Sequence, residues 1–203
     1  MTYSNLLVGH SDLVLCIYGP SGSGKSTLAK YIIKHNNSGR EIEIIKSYTT
    51  RSKRKGEIDE DHIFISEEEF IQKVQRKEIQ LYGKPHNQNY FVGYDIRYIA
   101  QCMKEGRIPI IVTRVPDILK NLSEIFTLVL YCDVTNFSEL ILRLERRDGK
   151  LTNEEKYRLG VEAGVLSKLT LKPQIEDTIG IRLLFNFDGQ NTQSLFVFRL
   201  IIF

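Results

Sequence analysis

Short apolar runs alternate with stretches of helical periodicity along most of this chain. The first run, Leu-Val-Leu-Cys-Ile-Tyr at 13–18, stops abruptly at Gly-Pro-Ser-Gly-Ser-Gly-Lys-Ser-Thr. It is too short for a helix and does not alternate, which predicts a strand buried on both faces. The glycine-rich stretch predicts a loop opening a helix over 25–35, which the turn-forming Asn-Asn-Ser-Gly at 36–39 ends. Further strands are predicted at 42–45, 63–65, 108–112, 128–132 and 182–187. Helices are predicted at 66–77, 95–105, 138–147 and 153–169, and 193–203 reads as a closing helix or strand. Ser66 is a good N-cap for the helix at 66–77, with Glu69 at the capping-box position. Residues 81–94, rich in Tyr, Asn and Gly, predict small strands and turns. Strands alternating with helices imply an α/β fold, a doubly wound and mostly parallel sheet with helices on both faces.

Composition adds limits to this picture. At 203 residues the chain suits one α/β domain, with room for small lobes hinged on it. A hydrophobic share of 42% and a charged share of 26% are ordinary for a packed globular protein. The net charge of +3 does not imply nucleic acid as a partner, although Lys46, Arg51, Lys53, Arg54 and Lys55 crowd into one short segment. Cys16, Cys102 and Cys132 have no metal-type spacing, which predicts buried, reduced thiols in a cytoplasmic protein. The first residues have neither a basic region nor a long apolar one, and the apolar tail at 194–203 is too short to span a bilayer, so no membrane partner is expected.

Gly19-Pro20-Ser21-Gly22-Ser23-Gly24-Lys25-Ser26 matches G-x-x-x-x-G-K-[ST] at every fixed position, between a predicted strand and a predicted helix. Small residues at Gly19, Ser21, Gly22, Ser23 and Gly24 let backbone N–H groups curl around a phosphate. The helix that starts near Lys25 adds the positive end of its dipole. Lys25 reaches the β- and γ-oxygens of a nucleotide, the Ser26 hydroxyl suits a Mg²⁺ ligand, and Thr27 lies beside them. The loop thus predicts an ATP–Mg²⁺ site without saying where the phosphoryl group goes. The chain contains no guanine-reading N-K-x-D, which argues against a GTPase.

Ser47-Tyr48-Thr49-Thr50-Arg51-Ser52-Lys53-Arg54-Lys55-Gly56-Glu57 is the second informative segment. Arg51 and Arg54 have the geometry for a forked clamp on a second phosphate. A solvated basic loop accounts for the same charges.

The P-loop, then S-x-T-T-R-x-x-R-x-G-E, then D-x-x-F-[IV]-S-x-x-x-F from Asp61 to Phe70, resembles the guanylate kinase family across residues 13–169. The resemblance implies that Ser47, Arg51 and Arg54, with Glu57 beside them, hold a nucleoside monophosphate. His62 stands where the family usually has a phosphate-binding tyrosine. Asn89-Tyr90-Phe91-Val92-Gly93 resembles the family's N-Y-Y-G with one residue extra, implying Tyr90 as an acceptor-phosphate ligand with the register open between Tyr90 and Phe91. Leu142-Arg143-Leu144-Glu145-Arg146-Arg147, Glu154-Glu155 and Arg158-Leu159 resemble the family's lid. Arg147 and Arg158 are its expected catalytic arginines, while Arg143 reads as helix-surface charge paired to Glu145 or Glu154. Asn186 matches a residue near the adenine pocket, and a turn former is the equal alternative. The implied organisation is a core at about 1–45, 95–135 and 170–203, an acceptor lobe at about 46–94 and a lid at about 138–169.

Two places depart from the family. Its D-x-D strand, whose carboxylates read guanine N–H groups, here offers Thr113 and Arg114, and another guanine-binding Glu is replaced by Leu81. The ribose 1,5-bisphosphate phosphokinases, a related branch, share His-Ile at 62–63 and also lack the acidic pair. The sequence therefore implies an ATP-dependent transfer to a nucleoside monophosphate, foremost GMP to GDP. A sugar-phosphate kinase, for which His62 or Asp61 would serve as base, and a non-catalytic binding module of the same fold are the alternatives. The expected partner is a small phosphate-bearing acceptor, with the chain a monomer or homodimer.

Overall fold

The computed structural model describes residues 13–54, 57, 61–122, 127–132, 136–169, 178–186 and 193–202, with side chains described to 164. The first strand, β1 (Val14–Tyr18), is buried along its whole length, as an unbroken apolar run requires. It lies between two parallel neighbours, β7 (Ile108–Thr113) and β8 (Thr127–Cys132), with Cys16 opposite Ile111 on one side and Val129 on the other. Outside β7 runs β2 (Ile42–Ile44), also parallel. The sheet continues past β8 through β10 (Gln193–Ile202) and β9 (Thr178–Asn186), both antiparallel to their neighbours, giving the order β2-β7-β1-β8-β10-β9. The chain's closing segment is thus the strand of its two predicted forms, and the last predicted strand begins earlier than expected.

Alternation along β1 feeds two cores. Leu15 and Ile17 pack with Leu28 and Ala29 of α1 (Lys25–Lys34). Val14, Cys16 and Tyr18 face the other way, onto Ile99, Ala100 and Met103 of α3 (Ile96–Lys104) and Ile118 and Leu122 of α4 (Pro116–Leu122). Helices cover both faces, as a doubly wound sheet demands. The three cysteines are buried and free. Helix α4 was not anticipated: it is seven residues long, too brief for periodicity to register, though Pro116 at its first position is a common helix start.

Residues 47–94 contain a second, four-stranded sheet in the order β4-β3-β6-β5. Its strands are β3 (Ser47–Thr49), β4 (His62–Phe64), β5 (Leu81–Gly83) and β6 (Val92–Tyr94). Helix α2 (Glu67–Gln75) packs Phe70 on it, stacked 5.2 Å from Phe91, and Ser66 caps the helix by accepting from the Glu69 N–H at 3.1 Å. The start of the basic segment is therefore strand rather than loop, pairing Ser47 with His62 and Tyr48 with Gly93. Helices α5 (Phe137–Asp148) and α6 (Asn153–Leu169) join through a small apolar cluster of Leu140, Ile141, Leu144 and Leu159. Among the described residues no helix is long and apolar enough to cross a membrane.

Candidate functional site

The loop after β1 wraps tightly. A Cβ on Gly19 would lie 2.5 Å from the Cys132 carbonyl oxygen, and Gly24 takes a left-handed φ of 91° to turn the chain into α1. Gly24 brings no side-chain cap and the first turn of α1 holds no acid, so its leading N–H groups stand ready for an external anion. Ser23 is 4% exposed and its Oγ has no hydrogen-bond partner. A buried orphan hydroxyl inside a glycine-rich turn is what a phosphate oxygen would satisfy. The Lys25 ammonium donates to the Pro20 carbonyl at 2.6 Å. Burial lowers its pKa to about 8, with Arg114 and Arg147 adding to the effect while Cys132 and Glu162 oppose it.

A cavity of about 310 Å³ opens from this loop. Ser21, Gly22, Gly24, Lys25, Ser26 and Thr27 line one end, and Ser47, Thr49, Arg51, Arg54, His62 and Tyr90 line the other. Val112, Thr113, Arg114 and Val115 form the floor between them, and Arg143, Leu144 and Arg147 of α5 close over it. The two motifs singled out in the sequence, far apart along the chain, thus share one cavity. Gly19, Ser23 and Arg158 are not among its lining residues. Asn186 ends β9, and its side chain lies outside the described residues.

Carboxylates hold the basic end in place. Glu57 accepts from Arg51 Nη1 at 2.9 Å and Nη2 at 2.7 Å, and from the Arg54 backbone N–H at 2.9 Å. Burial works against its charge, yet these bonds bring its pKa down to about 2. Glu57 is thus the brace of the arginines rather than part of the cavity lining. The Arg54 guanidinium has its pKa lowered by burial and by the neighbouring charges of Arg147 and Arg51, while Asp148 and Glu57 oppose the shift. Asp148 stands among them: it accepts from Arg147 at 2.8 and 2.6 Å and lies 3.6 Å from Arg54. Nothing in the spacing of the sequence pointed to Asp148, because its second partner is remote in the chain.

The remaining candidates have distinct surroundings. Ser47, 1% exposed, shares a 2.7 Å hydrogen bond with His62 Nδ1. Burial, then the Arg51 charge, lowers the His62 pKa, so the ring is neutral near pH 7. Tyr90 accepts from Arg114 on the floor, whereas the half-buried Phe91 stacks on Phe70 and is not among the lining residues. Arg143 differs from expectation: its partner is Glu139, one turn back, at 3.0 Å, and it also lines the cavity. Leu81 is fully buried in the packing and does not reach the cavity. Thr113 Oγ1 accepts from the Val115 N–H at 3.1 Å. Glu78 pairs with Lys73 at 2.9 Å, and no carboxylate is among the residues lining the cavity.

Sequence comparison identifies the family. The guanylate kinase family model matches residues 11–157. A guanylate kinase of Mycoplasmopsis pulmonis is 30% identical over 145 residues, covering 68% of this chain and 72% of that one. A Helicobacter pylori guanylate kinase is 38% identical over 103 residues, 50% of this chain, and the match spans only about half (48%) of that relative. In three dimensions, the crystal structure of guanylate kinase from Anaplasma phagocytophilum superposes with a TM-score of 0.54 at 18% identity, over 81% of this chain and 89% of that one. At that identity the superposition speaks for the fold alone.

Proposed function

From the premise that the chain belongs to the guanylate kinase family of ATP-dependent phosphotransferases, we propose that it transfers the γ-phosphoryl group of ATP to GMP, giving GDP and ADP. The observation that carries this reading is the single cavity joining the Lys25–Ser26 loop to the Arg51–Arg54 clamp. Donor and acceptor phosphates held at its two ends meet near its middle, which is the arrangement an in-line transfer needs. The backbone of 19–24 and Lys25 hold the β- and γ-phosphates, with Thr27 beside them. Arg51 and Arg54 grip the acceptor phosphate, the Tyr90 hydroxyl is its neutral partner, and Glu57 keeps the forks aimed. His62, braced by Ser47, presents its remaining ring nitrogen on the same side.

Residues 138–169 are read as a lid, and residues 46–94 as an acceptor lobe. Arg147 then supplies positive charge over the equatorial oxygens as negative charge spreads on them. Arg158 is the further catalytic candidate. It lies outside the cavity lining in this arrangement, so its role requires further movement of α6. Ser26, in the first turn of α1 and facing the cavity, is a fitting hydroxyl ligand for Mg²⁺, which when bound neutralises charge shared by the β- and γ-oxygens. An ionised phosphate acceptor needs no general base. Three buried, free thiols support a cytoplasmic setting. The sugar-phosphate and non-catalytic readings are not favoured by these likenesses.

The test is ADP release, measured with GMP, dGMP, AMP, UMP and ribose 1,5-bisphosphate offered separately. GMP turnover in the presence of Mg²⁺ is the expected result. A preference for ribose 1,5-bisphosphate, or no transfer to any nucleotide, would overturn the proposal.

A further inference from the structure

Arg114 has partners in two parts of the chain besides its own. It follows β7 directly, on the cavity floor. Its Nη1 donates to both carboxylate oxygens of Glu162 at 2.9 Å each, and its Nη2 donates to the Tyr90 hydroxyl. The guanidinium carbon lies 5.7 Å from the Tyr90 ring centroid. Glu162 sits on α6 and is 1% exposed, while the Arg114 side chain is 16% exposed. One planar cation therefore ties the floor of the cavity both to the four-stranded sheet's connecting segment and to the second lid helix.

This arrangement has a physical consequence. A carboxylate as buried as Glu162 needs its charge matched, and Arg114 Nη1 supplies the match, so the seat of α6 depends on Arg114. Guanidinium geometry fixes the direction as well as the distance of that match. The same rigid group also sets the Tyr90 hydroxyl, which faces the acceptor end. A shift of Tyr90 toward a bound acceptor phosphate must move or re-aim Arg114, and that changes the seat of Glu162.

We propose that Arg114 is a positioning residue that couples Tyr90 at the acceptor end to Glu162 on the lid, so that acceptor seating and lid closure are one linked event. The proposal rests on the phosphotransferase reading given above. It explains why a cation is useful where the family's pattern has a carboxylate: the position serves the lid instead of the base.

The test is a double-mutant cycle on the full chain, with GMP and ATP kinetics. Tyr90→Phe and Glu162→Gln are each expected to raise the GMP KM by about tenfold while leaving the ATP KM within about twofold, and the double variant to fall well short of the roughly hundredfold product of the two. In an Arg114→Met, Glu162→Leu background, which removes both charges and keeps the packing, Tyr90→Phe should raise the GMP KM by only about two- to threefold, the part due to its direct phosphate contact. Arg114→Lys should not restore coupling, because an ammonium cannot fork. Melting temperatures confirm that each variant is folded. As a second readout, GMP alone should slow amide exchange across 153–164 in the wild type, and should no longer do so in Tyr90→Phe at saturating GMP. Independent, multiplicative effects of the two substitutions, or exchange protection that survives Tyr90→Phe, would overturn the coupling. So would an Arg114→Met loss far greater than that of the Tyr90→Phe, Glu162→Gln double variant, which would make Arg114 a direct acceptor ligand. Wild-type turnover of GMP is scored separately, so failure of the enzyme assignment is distinct from failure of the coupling.

Discussion

Arg54 and Asp148 meet at 3.6 Å, although one belongs to the basic segment after β3 and the other ends α5. Asp148 also accepts from Arg147, so one carboxylate holds two cations that are read as acceptor clamp and lid. The Arg147 and Arg54 charges hold the Asp148 pKa below the usual carboxylate range, leaving it ionised at neutral pH. An acceptor phosphate must compete with it. Asp148→Asn is expected to lower the GMP KM, by about two- to fivefold on the scale of one partly screened charge contact, with kcat lowered as Arg147 loses its guide. A raised KM with unchanged kcat would show that Asp148 supports the clamp instead of competing for it.

Lys25 combines a structural and an electrostatic prediction. Its ammonium donates to the Pro20 carbonyl within its own loop, so Lys25→Ala should leave the melting temperature nearly unchanged. Turnover should fall by about 10²- to 10³-fold or more, the scale of losing one transition-state charge partner. The free enzyme's Lys25 pKa of about 8 lies below the unfolded lysine value, so the group is neutral above pH 8 and binds phosphate less well there. ATP raises that pKa again, so binding near pH 9 should take up a proton. Calorimetry in two buffers of different ionisation enthalpy measures this uptake, and Lys25→Met should abolish it.

The Arg51–Glu57 fork makes the third prediction. Arg51→Ala should raise the GMP KM by at least about tenfold, in the range of a lost charge-assisted pair, and the ATP KM far less. Equal effects on both substrates would remove the basic segment from the acceptor site. Glu57, at about 2, is depressed from its unfolded value near 4.5. Its contribution to stability is therefore complete above that value and lost as pH falls through about 2. Between pH 4.5 and 7 the wild type should show no stability change traceable to Glu57, and Glu57→Gln should be less stable throughout that window.

The phosphate loop was legible because its chemistry fixes both residue type and spacing over eight consecutive positions, Gly19 to Ser26. The strands and longer helices were legible for a similar reason, since Val14–Tyr18 is uninterrupted and Ser66 with Glu69 marks a start. Short elements escaped: Ser47–Thr49 was masked by the charges that follow it, and Pro116–Leu122 completes barely two turns. Partnerships across the fold escaped altogether. Asp148 carries no motif, and its contact with Arg54 exists only once α5 folds over the small sheet. Arg114 looked like a departure from a pattern, and its link to Glu162 needed the packing of α6 to become visible.

The missing carboxylates lead to the last prediction. Guanine offers N–H donors at N1 and N2, and a site that reads them needs acceptors there. Leu81 is buried in the packing and offers none, and the Thr113 hydroxyl already accepts from the Val115 N–H. Glu78 is paired with Lys73, and the cavity lining includes no carboxylate. The neutral polar groups that line the cavity beside the clamp are partnered too: Ser47 bonds His62, and Thr49 accepts from the Arg51 N–H and donates to the Phe91 carbonyl. Each well-placed polar contact that is absent forfeits discrimination on the order of 1 kcal/mol or more, about five- to tenfold. IMP, which lacks the N2 amine, should therefore be phosphorylated with a kcat/KM within about tenfold of that for GMP, because no acceptor is left unpaired by its loss. AMP should be disfavoured by less than about a thousandfold. Side-by-side steady-state kinetics with GMP, IMP and AMP at one ATP–Mg²⁺ concentration decide the matter. A GMP preference over IMP of several orders of magnitude would mean that a carboxylate from outside this lining enters the site when the acceptor binds. Asp117, exposed on α4 and close to Gly83, is the first residue to test for that role by Asp117→Asn.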